Sequence, residues 1–339
     1  MRKALASILL FLLFFTMASF ADDKTTVWID TDLAQDDWLA LTYLVQQPEI
    51  DIKAITIAGD GVNDCGHGLV QLKYFLKMMH RMDIPFACGA EKPLQGNNQF
   101  PPLWRHQAFN FYNVKNLSPV RAVKNSAAKL INQILLAAQP PVTLIELAPM
   151  TNAAEFYLQQ PELFKQKVRV IYFTGGAFDR YTDVGKLLPN TQNFVASWNA
   201  FIDPEALNVI LTQAKPAFFA FIPENVTRPL DSTLLEISHI IGTQTHKSNK
   251  LDFVQQMLKS EKKDLYIADE VTALAALHPK LCKWAGDRVV VLTQPSIRAG
   301  QTLFSCRGAA SVRCKRLPPN IFVTHFWEGL TQVAESSHK

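Results

Sequence analysis

Strand-like and helix-like stretches alternate along most of this chain, and the alternation restricts the fold more than any other feature. Short runs rich in β-branched and aromatic residues precede longer stretches with helical periodicity. The strand-like runs are Lys53–Gly59, Pro85–Cys88, Val142–Leu147, Val168–Thr174 and Ala217–Ile222, and the helix-like stretches are Asp36–Gln47, His67–His80, Val120–Ala138, Thr151–Gln159 and Pro204–Gln213. Such alternation is typical of right-handed βαβ units. We therefore predict an α/β fold with a mostly parallel central sheet flanked by helices.

Beyond residue 284 the pattern changes to shorter elements. Strand-like runs occur at Arg288–Leu292, Thr302–Cys306 and Ile321–Val323, and a last helix is predicted from Thr324. The chain is 48% apolar and 19% charged, as is typical of a globular protein with a sizeable core. Because no Pro/Ser/Gly-rich linker and no internal repeat divides it, we predict one domain over residues 22–339.

The first 21 residues have the pattern of a secretory signal peptide. Arg2 and Lys3 precede the apolar run Ala4–Phe15, and Ser19–Ala21 fits the small-x-small cleavage pattern. The apolar run is shorter than the roughly 20 residues that a membrane-spanning helix needs. We therefore predict cleavage after Ala21, a periplasmic or secreted location, and no membrane association of the mature chain.

The mature chain has a nearly balanced charge. Loss of Arg2 and Lys3 reduces the 34 basic residues to 32, against 30 acidic ones. This balance argues against nucleic acid or an anionic membrane as a partner. A small-molecule ligand is the better expectation, and a homo-oligomer stays open.

Export makes the five cysteines candidates for disulfides. Cys306 and Cys314 flank a turn between two strand-like runs, so we predict that they bridge a hairpin. Nothing in the sequence pairs Cys65, Cys88 and Cys282, and no Cys/His spacing indicates zinc.

Four carboxylates lie within eight positions between the first strand and the first helix. Asp30 and Asp32 end the strand-like run that begins at Val27, and Asp36 and Asp37 begin the helix. Carboxylates so close repel one another unless a cation binds among them, and hard cations such as Ca²⁺ and Mg²⁺ prefer oxygen ligands. The alternative is that one acid only caps the helix. Because ligands of parallel sheets bind beyond the carboxyl ends of strands, we favour a metal or substrate site.

Asp30-x-Asp32 with Gly59–Asp64 resembles two motifs of haloacid-dehalogenase-type phosphohydrolases, in which the first Asp is a nucleophile and the second motif helps to hold Mg²⁺. The Ser/Thr and Lys motifs of that family should lie between them. Only Leu33–Ala58 separates the two here, and Ala34 stands where Thr or Val is expected. The spacing therefore disfavours this alternative.

A second resemblance extends over nearly the whole mature chain. Asp30-Thr31-Asp32 followed by Asp36-Asp37 is similar to the opening motif of the inosine-uridine nucleoside hydrolases. Further segments resemble that family in the expected order: Phe86–Gly89, Val142–Ile145, Ala148–Asn152, Thr174–Gly176, Trp198–Asn199, Asp203–Ala206 and Tyr266–Ala276. Each segment alone is weakly specific, but their common order indicates membership of the family.

The resemblance implies a Rossmann-like core and Ca²⁺-dependent hydrolysis of the N-glycosidic bond of a ribonucleoside to free base and ribose. Such cleavage passes through a ribosyl cation, so the site needs negative charge and an activated water. By position, the metal ligands would be Asp32, Asp37, Asp269 and the carbonyl of Leu147. Asp32 would also be the general base, and the implied role is nucleoside scavenging outside the cytoplasm.

The resemblance also implies a set of substrate contacts. Asp36 would bind the ribose 2′-hydroxyl, Asn199 the ribose diol and Asn193 the 5′ side. Asp60 and Ser197 stand at two further substrate positions, where many members have Asn and Glu respectively. The neutral Ser197 therefore changes the expected sugar contact.

Several of these residues also have plain structural explanations. Asp269 alternatively caps the helix that it begins, and Asn199 is alternatively a turn residue. Trp104, Phe178 and Trp198 are candidates for stacking on a nucleobase, although single aromatic residues are usually part of the core.

The group that assists the departing base is not assigned by sequence. Ala268 occupies the position where purine-cleaving members often carry His. His67 and His325 are the available alternatives, but a lone His is usually structural. A non-catalytic nucleoside binder with the same fold is therefore a second functional class, and the choice between purine and pyrimidine stays open.

Overall fold

A nine-stranded sheet forms the centre of the structure. The computed structural model describes residues 24–114, 126–233, 236–237, 239, 249–260 and 266–331. Within these residues the strands are β1 Thr25–Thr31, β2 Ile50–Ile57, β3 Phe86–Cys88, β4 Val142–Glu146, β5 Val168–Thr174, β6 Phe218–Ile222, β7 Lys283–Val291, β8 Thr302–Phe304 and β9 Ala309–Arg316. Neighbours are parallel in the order β3-β2-β1-β4-β5-β6-β9, and β7 is antiparallel to both β9 and β8. The predicted mostly parallel α/β sheet is confirmed.

Helices flank the sheet. Those in the described ranges are α1 Gln35–Leu44, α2 Cys65–Met78, α3 Pro102–Phe109, α4 Ala127–Ala137, α5 Thr151–Gln159, α6 Pro161–Lys167, α7 Val184–Leu187, α8 Trp198–Ile202, α9 Pro204–Val209, α10 Glu224–Thr227, α11 Asn249–Ser260, α12 Asp269–Leu277 and α13 Pro319–Thr331. None of these described helices combines the length and apolar character needed to cross a membrane. The predicted signal peptide and residues 120–125 of the predicted helix Val120–Ala138 lie outside the described residues.

Strand β1 contributes to two hydrophobic cores because successive side chains of a strand point to opposite faces. Val27 and Ile29 belong to one core, which includes Trp38 of α1. Trp28 belongs to the other core, which includes Phe156 of α5. Each of these side chains is almost fully buried, and such burial contributes about 1.5–3 kcal/mol per side chain. The end of β1, where the acidic stretch lies, is therefore firmly held.

The strand order reverses beside β1. The chain runs from β1 to β2 and β3 on one side, and then returns to β4, β5 and β6 on the other. The loops that follow β1 and β4 therefore lead away in opposite directions, which leaves a crevice at the carboxyl ends of the strands. The acids after β1 and Leu147 after β4 both lie at this crevice.

One strand prediction near the carboxyl terminus is wrong, and another is too short. The predicted strand Ile321–Val323 lies inside helix α13, where Phe322 and Phe326 are buried and stack with ring centroids 5.4 Å apart. A short apolar run does not distinguish a strand from a buried helix. The predicted strand Arg288–Leu292 covers only the end of β7, which begins at Lys283.

The predicted disulfide between Cys306 and Cys314 is also wrong. Cys314 pairs with Cys282, Cys65 pairs with Cys88, and Cys306 is an exposed free thiol. The hairpin interpretation assumed that β8 and β9 are neighbours, but β7 lies between them. Because β7 pairs directly with β9, Cys282 just before β7 comes within a Cα distance of 5.5 Å of Cys314.

We expect Cys282→Ser to lower the free energy of unfolding by about 4 kcal/mol, because the bond closes a loop of 32 residues. Urea denaturation without reductant measures this change. Cys306→Ser is the matched control and should change the free energy by less than about 0.5 kcal/mol. Alkylation of the folded, unreduced protein should label Cys306 alone, and labelling of Cys282 or Cys314 would contradict the pairing.

Candidate functional site

The loop after β1 is shaped by Leu33 and Asp37. Leu33 has a φ of 59°, a left-handed conformation that costs a residue with a side chain about 1–2 kcal/mol. Its fully buried side chain offsets that cost. The Asp37 carboxylate accepts the backbone N–H groups of Asp32 at 3.3 Å and Ala34 at 3.0 Å, and also the Thr31 hydroxyl. These contacts fold the loop back onto the first turn of α1.

Three carboxylates meet at this loop. Asp36, Asp37 and Asp269 each offer an oxygen, and these oxygens lie within 4.8 Å of one another. Asp269 reaches the loop because α12, which it begins, packs against α1. Asp32 lies beside Asp37, and its carboxylate accepts the backbone N–H of Val62 at 3.0 Å. The structure therefore brings together the four acids that we call the acid cluster: Asp32, Asp36, Asp37 and Asp269.

Burial raises the pKa of every carboxyl group in the acid cluster. Burial and the charge of Asp32 raise the pKa of Asp36 to about 7. Burial and the charges of Asp269 and Asp36 hold the pKa of Asp37 well above its usual range, and burial has the same effect on the pKa of Asp32 and Asp269. One Asp269 oxygen is buried with no hydrogen-bond partner among the described residues. A cluster of mutually repelling carboxylates with an unpaired oxygen fits a hard divalent cation.

Helix capping explains one of these acids, Asp37, and not the others. Asp269 is the first residue of its helix, and no side chain caps that helix. Among the acids after β1, it is Asp37 that accepts the N–H of Ala34 at the start of α1, at 3.0 Å. Asp30 instead accepts hydrogen bonds from Asn152 at 2.9 Å and from Thr56. Asp30 therefore links the end of β1 to neighbouring elements and helps to hold the loop in place.

Asn199 joins the ends of two strands. Its side-chain NH₂ group donates to the carbonyl of Leu147 at 2.8 Å and to the carbonyl of Thr174 at 3.0 Å. All three residues line the same cavity as the acid cluster. Because the described hydrogen bonds of Asn199 use only its NH₂ group, its side-chain oxygen is the atom suited to accept a hydrogen bond from a ligand.

The cavity and the open space at its mouth together have a volume of about 900 Å³, which admits a small molecule. One part of its lining is the acid cluster with Leu147, Ser197 and Asn199. Another part is aromatic, because Trp104 lies 4.9 Å from Trp198 and 5.4 Å from Tyr266 between ring centroids. The lining thus combines a negatively charged region with a flat apolar one.

Asn193 and Asp60 do not line this cavity, although we predicted that both contact the substrate. Asn193 is fully buried, and its amide donates to the carbonyl of Ala299 at 2.8 Å while accepting two N–H groups of its own loop. Asp60 accepts the Thr151 hydroxyl at 2.7 Å and borders a separate cavity. Their hydrogen bonds therefore hold loops and helices in place, and motif position alone did not predict the direction of either side chain.

Ser197 does line the cavity. Its hydroxyl oxygen accepts the backbone N–H of Gly176 at 2.7 Å. Trp104 and Trp198 line the cavity as well, whereas Phe178 does not and stacks on another phenylalanine. Of the three predicted stacking residues, two are therefore in position to contact a ligand.

Sequence reasoning missed a group of charged residues in the lining. Glu224, Arg228 and Asp231 follow directly after β6. Because β6 is parallel to β5, its carboxyl end lies at the same edge of the sheet. The strand-end rule, applied to the predicted strand Ala217–Ile222, would have found them.

Comparison with known proteins identifies the family to which this chain belongs. The family model of the inosine-uridine preferring nucleoside hydrolases matches residues 27–328. The chain belongs to this family. The pyrimidine-specific ribonucleoside hydrolase RihA of Escherichia coli O81 (strain ED1a) is 28% identical to this nucleoside hydrolase over 289 residues, which are 82% of this chain and 87% of RihA.

Two solved structures have the same fold. The plant nucleoside hydrolase PpNRh1 has a TM-score of 0.77 and 24% identity, over 91% of this chain and 99% of that one. The inosine-uridine preferring nucleoside hydrolase of Bacillus anthracis has a TM-score of 0.69 and 18% identity, over 91% and 99%. The predicted family and the assignment as a hydrolase are confirmed, and the haloacid-dehalogenase alternative is dropped.

We expect the thermal stability of the chelator-treated nucleoside hydrolase to fall as pH rises. Burial raises the pKa of Asp30 and Asp36 to about 7 from an ordinary value of 3.8, so the folded state binds more protons than the unfolded state between these values. Each group then removes up to about 1.4 kcal/mol of stability per pH unit in that window. Calorimetry in EDTA between about pH 5 and about pH 8 measures the slope, which Asp36→Asn should reduce. A Tm that rises with pH would contradict this account.

Proposed function

We propose that this protein hydrolyses the N-glycosidic bond of ribonucleosides to free base and ribose, with Ca²⁺ at the acid cluster. The observation that supports this most is the buried acid cluster beside an aromatic wall in one cavity. A ribosyl cation and a flat base need these two surroundings. RihA, which is named as a pyrimidine-specific ribonucleoside hydrolase, supports a ribonucleoside as the substrate.

Burial divides the roles within the acid cluster. Asp32, Asp37 and Asp269 are at most 2% exposed, whereas Asp36 is only partly buried. We assign the cation to the three buried carboxylates and the carbonyl of Leu147. We assign the 2′-hydroxyl of the ribose to Asp36, because a partly exposed carboxylate is able to reach a substrate.

Asp32 is the proposed general base. When bound, Ca²⁺ supplies Lewis acidity that lowers the pKa of a coordinated water. The Asp32 carboxylate is held by the N–H of Val62 and lies in the cavity lining, where it is placed to accept the proton of the attacking water. The side-chain oxygen of Asn199 accepts from the ribose diol, and Trp104 and Trp198 pack against the base.

We also propose that the protein works outside the cytoplasm. The signal-peptide pattern of residues 1–21 supports export. The two disulfides, Cys65–Cys88 and Cys282–Cys314, are a second argument because such bonds persist in oxidising compartments.

Incubation of the mature chain with purine and pyrimidine ribonucleosides tests the function. We expect free base and reducing sugar in equal amounts, loss of both in EDTA and recovery with CaCl₂. Asp32→Asn should lower kcat by about 10²–10⁴-fold, while the surface control Asp51→Asn should leave it unchanged. Saturable binding of nucleosides without hydrolysis would instead support the non-catalytic binder.

Ser197→Glu should raise kcat/KM on ribonucleosides. A carboxylate at this place in the cavity supplies a charge-assisted hydrogen bond to a ribose hydroxyl, which corresponds to a gain of about ten- to hundredfold. Ser197→Gln is the control of similar size without the charge, and cation affinity should be the same in both. If the Glu variant is folded but no better than the Gln variant, Ser197 does not replace a sugar contact.

A further inference from the structure

One carboxylate outside the cavity lining organises three residues of that lining. Asp183 accepts hydrogen bonds from Arg228 Nη2 at 2.7 Å, from the Tyr266 hydroxyl at 2.8 Å and from Trp198 Nε1 at 2.9 Å. Arg228, Tyr266 and Trp198 all line the cavity, whereas Asp183 does not. All three side chains therefore share one carboxylate as a hydrogen-bond acceptor.

Arg228 is held rigidly but keeps donors for a ligand. Its guanidinium carbon lies 3.8 Å from the centroid of the Tyr266 ring. Its described hydrogen bonds, to Asp183 and Glu224, use two of the five N–H groups of a guanidinium. Its Nη1 is 3.7 Å from Asp231, which is too far for a hydrogen bond. The remaining N–H groups belong to a side chain that is 17% exposed and borders the cavity.

A departing nucleobase needs such a group. When the C1′–N bond breaks, its electron pair moves onto the base, and the negative charge must be stabilised. Ala268 has no polar side chain, and His67 and His325 do not line the cavity. Arg228 is the one basic residue among the described residues of the lining.

We propose that Arg228 donates hydrogen bonds to the departing nucleobase, and that Asp183 is the positioning residue that aims it. This inference rests on the proposed function. Water adds its hydroxyl to C1′ and gives its proton to Asp32, and the C1′–N electron pair leaves with the base. Because a guanidinium stays protonated, Arg228 stabilises the anionic base without transferring a proton. The base takes its proton from solvent after release.

Glu224 is the competing candidate, as a general acid. It lines the cavity, and burial raises its pKa to about 7 although its arginine neighbours lower it. Its Oε2 lies 3.4 Å from Arg228 Nε and 3.7 Å from Arg180 Nε. This oxygen thus contacts two arginine side chains, and such charge-assisted contacts fix the positions of both partners. We therefore assign Glu224 to holding Arg228, and the experiment separates the two roles.

The test compares two substrates that differ in the need for help at the leaving group. A ribonucleoside has a poor leaving group, whereas 4-nitrophenyl riboside releases a stable anion without assistance. Arg228→Gln should lower kcat/KM on the nucleoside by about a hundredfold and on the nitrophenyl riboside by less than about threefold. Arg228→Lys, which keeps the charge but not the fork of donors, should fall between Arg228→Gln and wild type.

Asp183→Asn tests the positioning role. It should reproduce the substrate-selective loss of Arg228→Gln at smaller size, and it should shift the tryptophan emission because Trp198 loses a charged partner. Arg81→Gln is the control, because Arg81 also pairs with an aspartate, Asp83, but lies at the surface and does not line the cavity. It should change neither substrate by more than about twofold. If Arg228→Gln does not fold, Arg228→Lys and Asp183→Asn are the test.

Two results overturn the inference. An equal loss on both substrates would assign Arg228 to the sugar or to folding. A substrate-selective loss in Glu224→Gln, with Arg228→Gln unaffected, would assign the leaving group to Glu224 acting as an acid. Failure of the wild type to hydrolyse either substrate would instead count against the proposed function, so the two failures are distinguishable.

Discussion

Repulsion among buried carboxylates is the constraint on which the rest of this site depends. Asp32, Asp36, Asp37 and Asp269 share a small volume, and the charges that raise their pKa values are those of other acids. Buried charges of one sign destabilise a fold unless protons or a cation compensate them. The two cores that enclose β1 supply the burial energy that holds the acids together. A cation that prefers oxygen ligands compensates the repulsion that destabilises the folded chain.

A second group of acids lies next to the acid cluster. Asp30 contacts Glu146, and the Thr151 hydroxyl lies 2.7 Å from Asp60 and 2.8 Å from Asp203. A hydroxyl has a single proton, so it donates to one of these carboxylates and meets the other as an acceptor. Burial raises the pKa of both Asp60 and Asp203, which is consistent with a shared proton there. The loop after β1 is thus supported by a second group of acids, whose hydrogen bonds also depend on protonation.

Two further polar side chains organise the cavity, Asn199 within its lining and Asp183 outside it. Asn199 ties the ends of β4 and β5 together through two carbonyls, while Asp183 sets the direction of the Arg228, Tyr266 and Trp198 side chains. The hydrogen bonds to the Asp183 carboxylate are charge-assisted and therefore stronger than hydrogen bonds between neutral groups. The cavity lining consequently carries both the acid cluster and the Arg228 guanidinium.

The sequence by itself determined the α/β class, the family, and the convergence of the acids after β1 with Asp269. Those conclusions rest on local periodicity and on motif order, and both can be read from the amino-acid sequence. Tertiary structure decided the rest. The position of β7 between β8 and β9 set the cysteine pairing, and side-chain direction kept Asn193 and Asp60 away from the cavity. Asp183 entered the site in the same way, because its contact with Arg228, 45 positions away, depends on how the sheet folds.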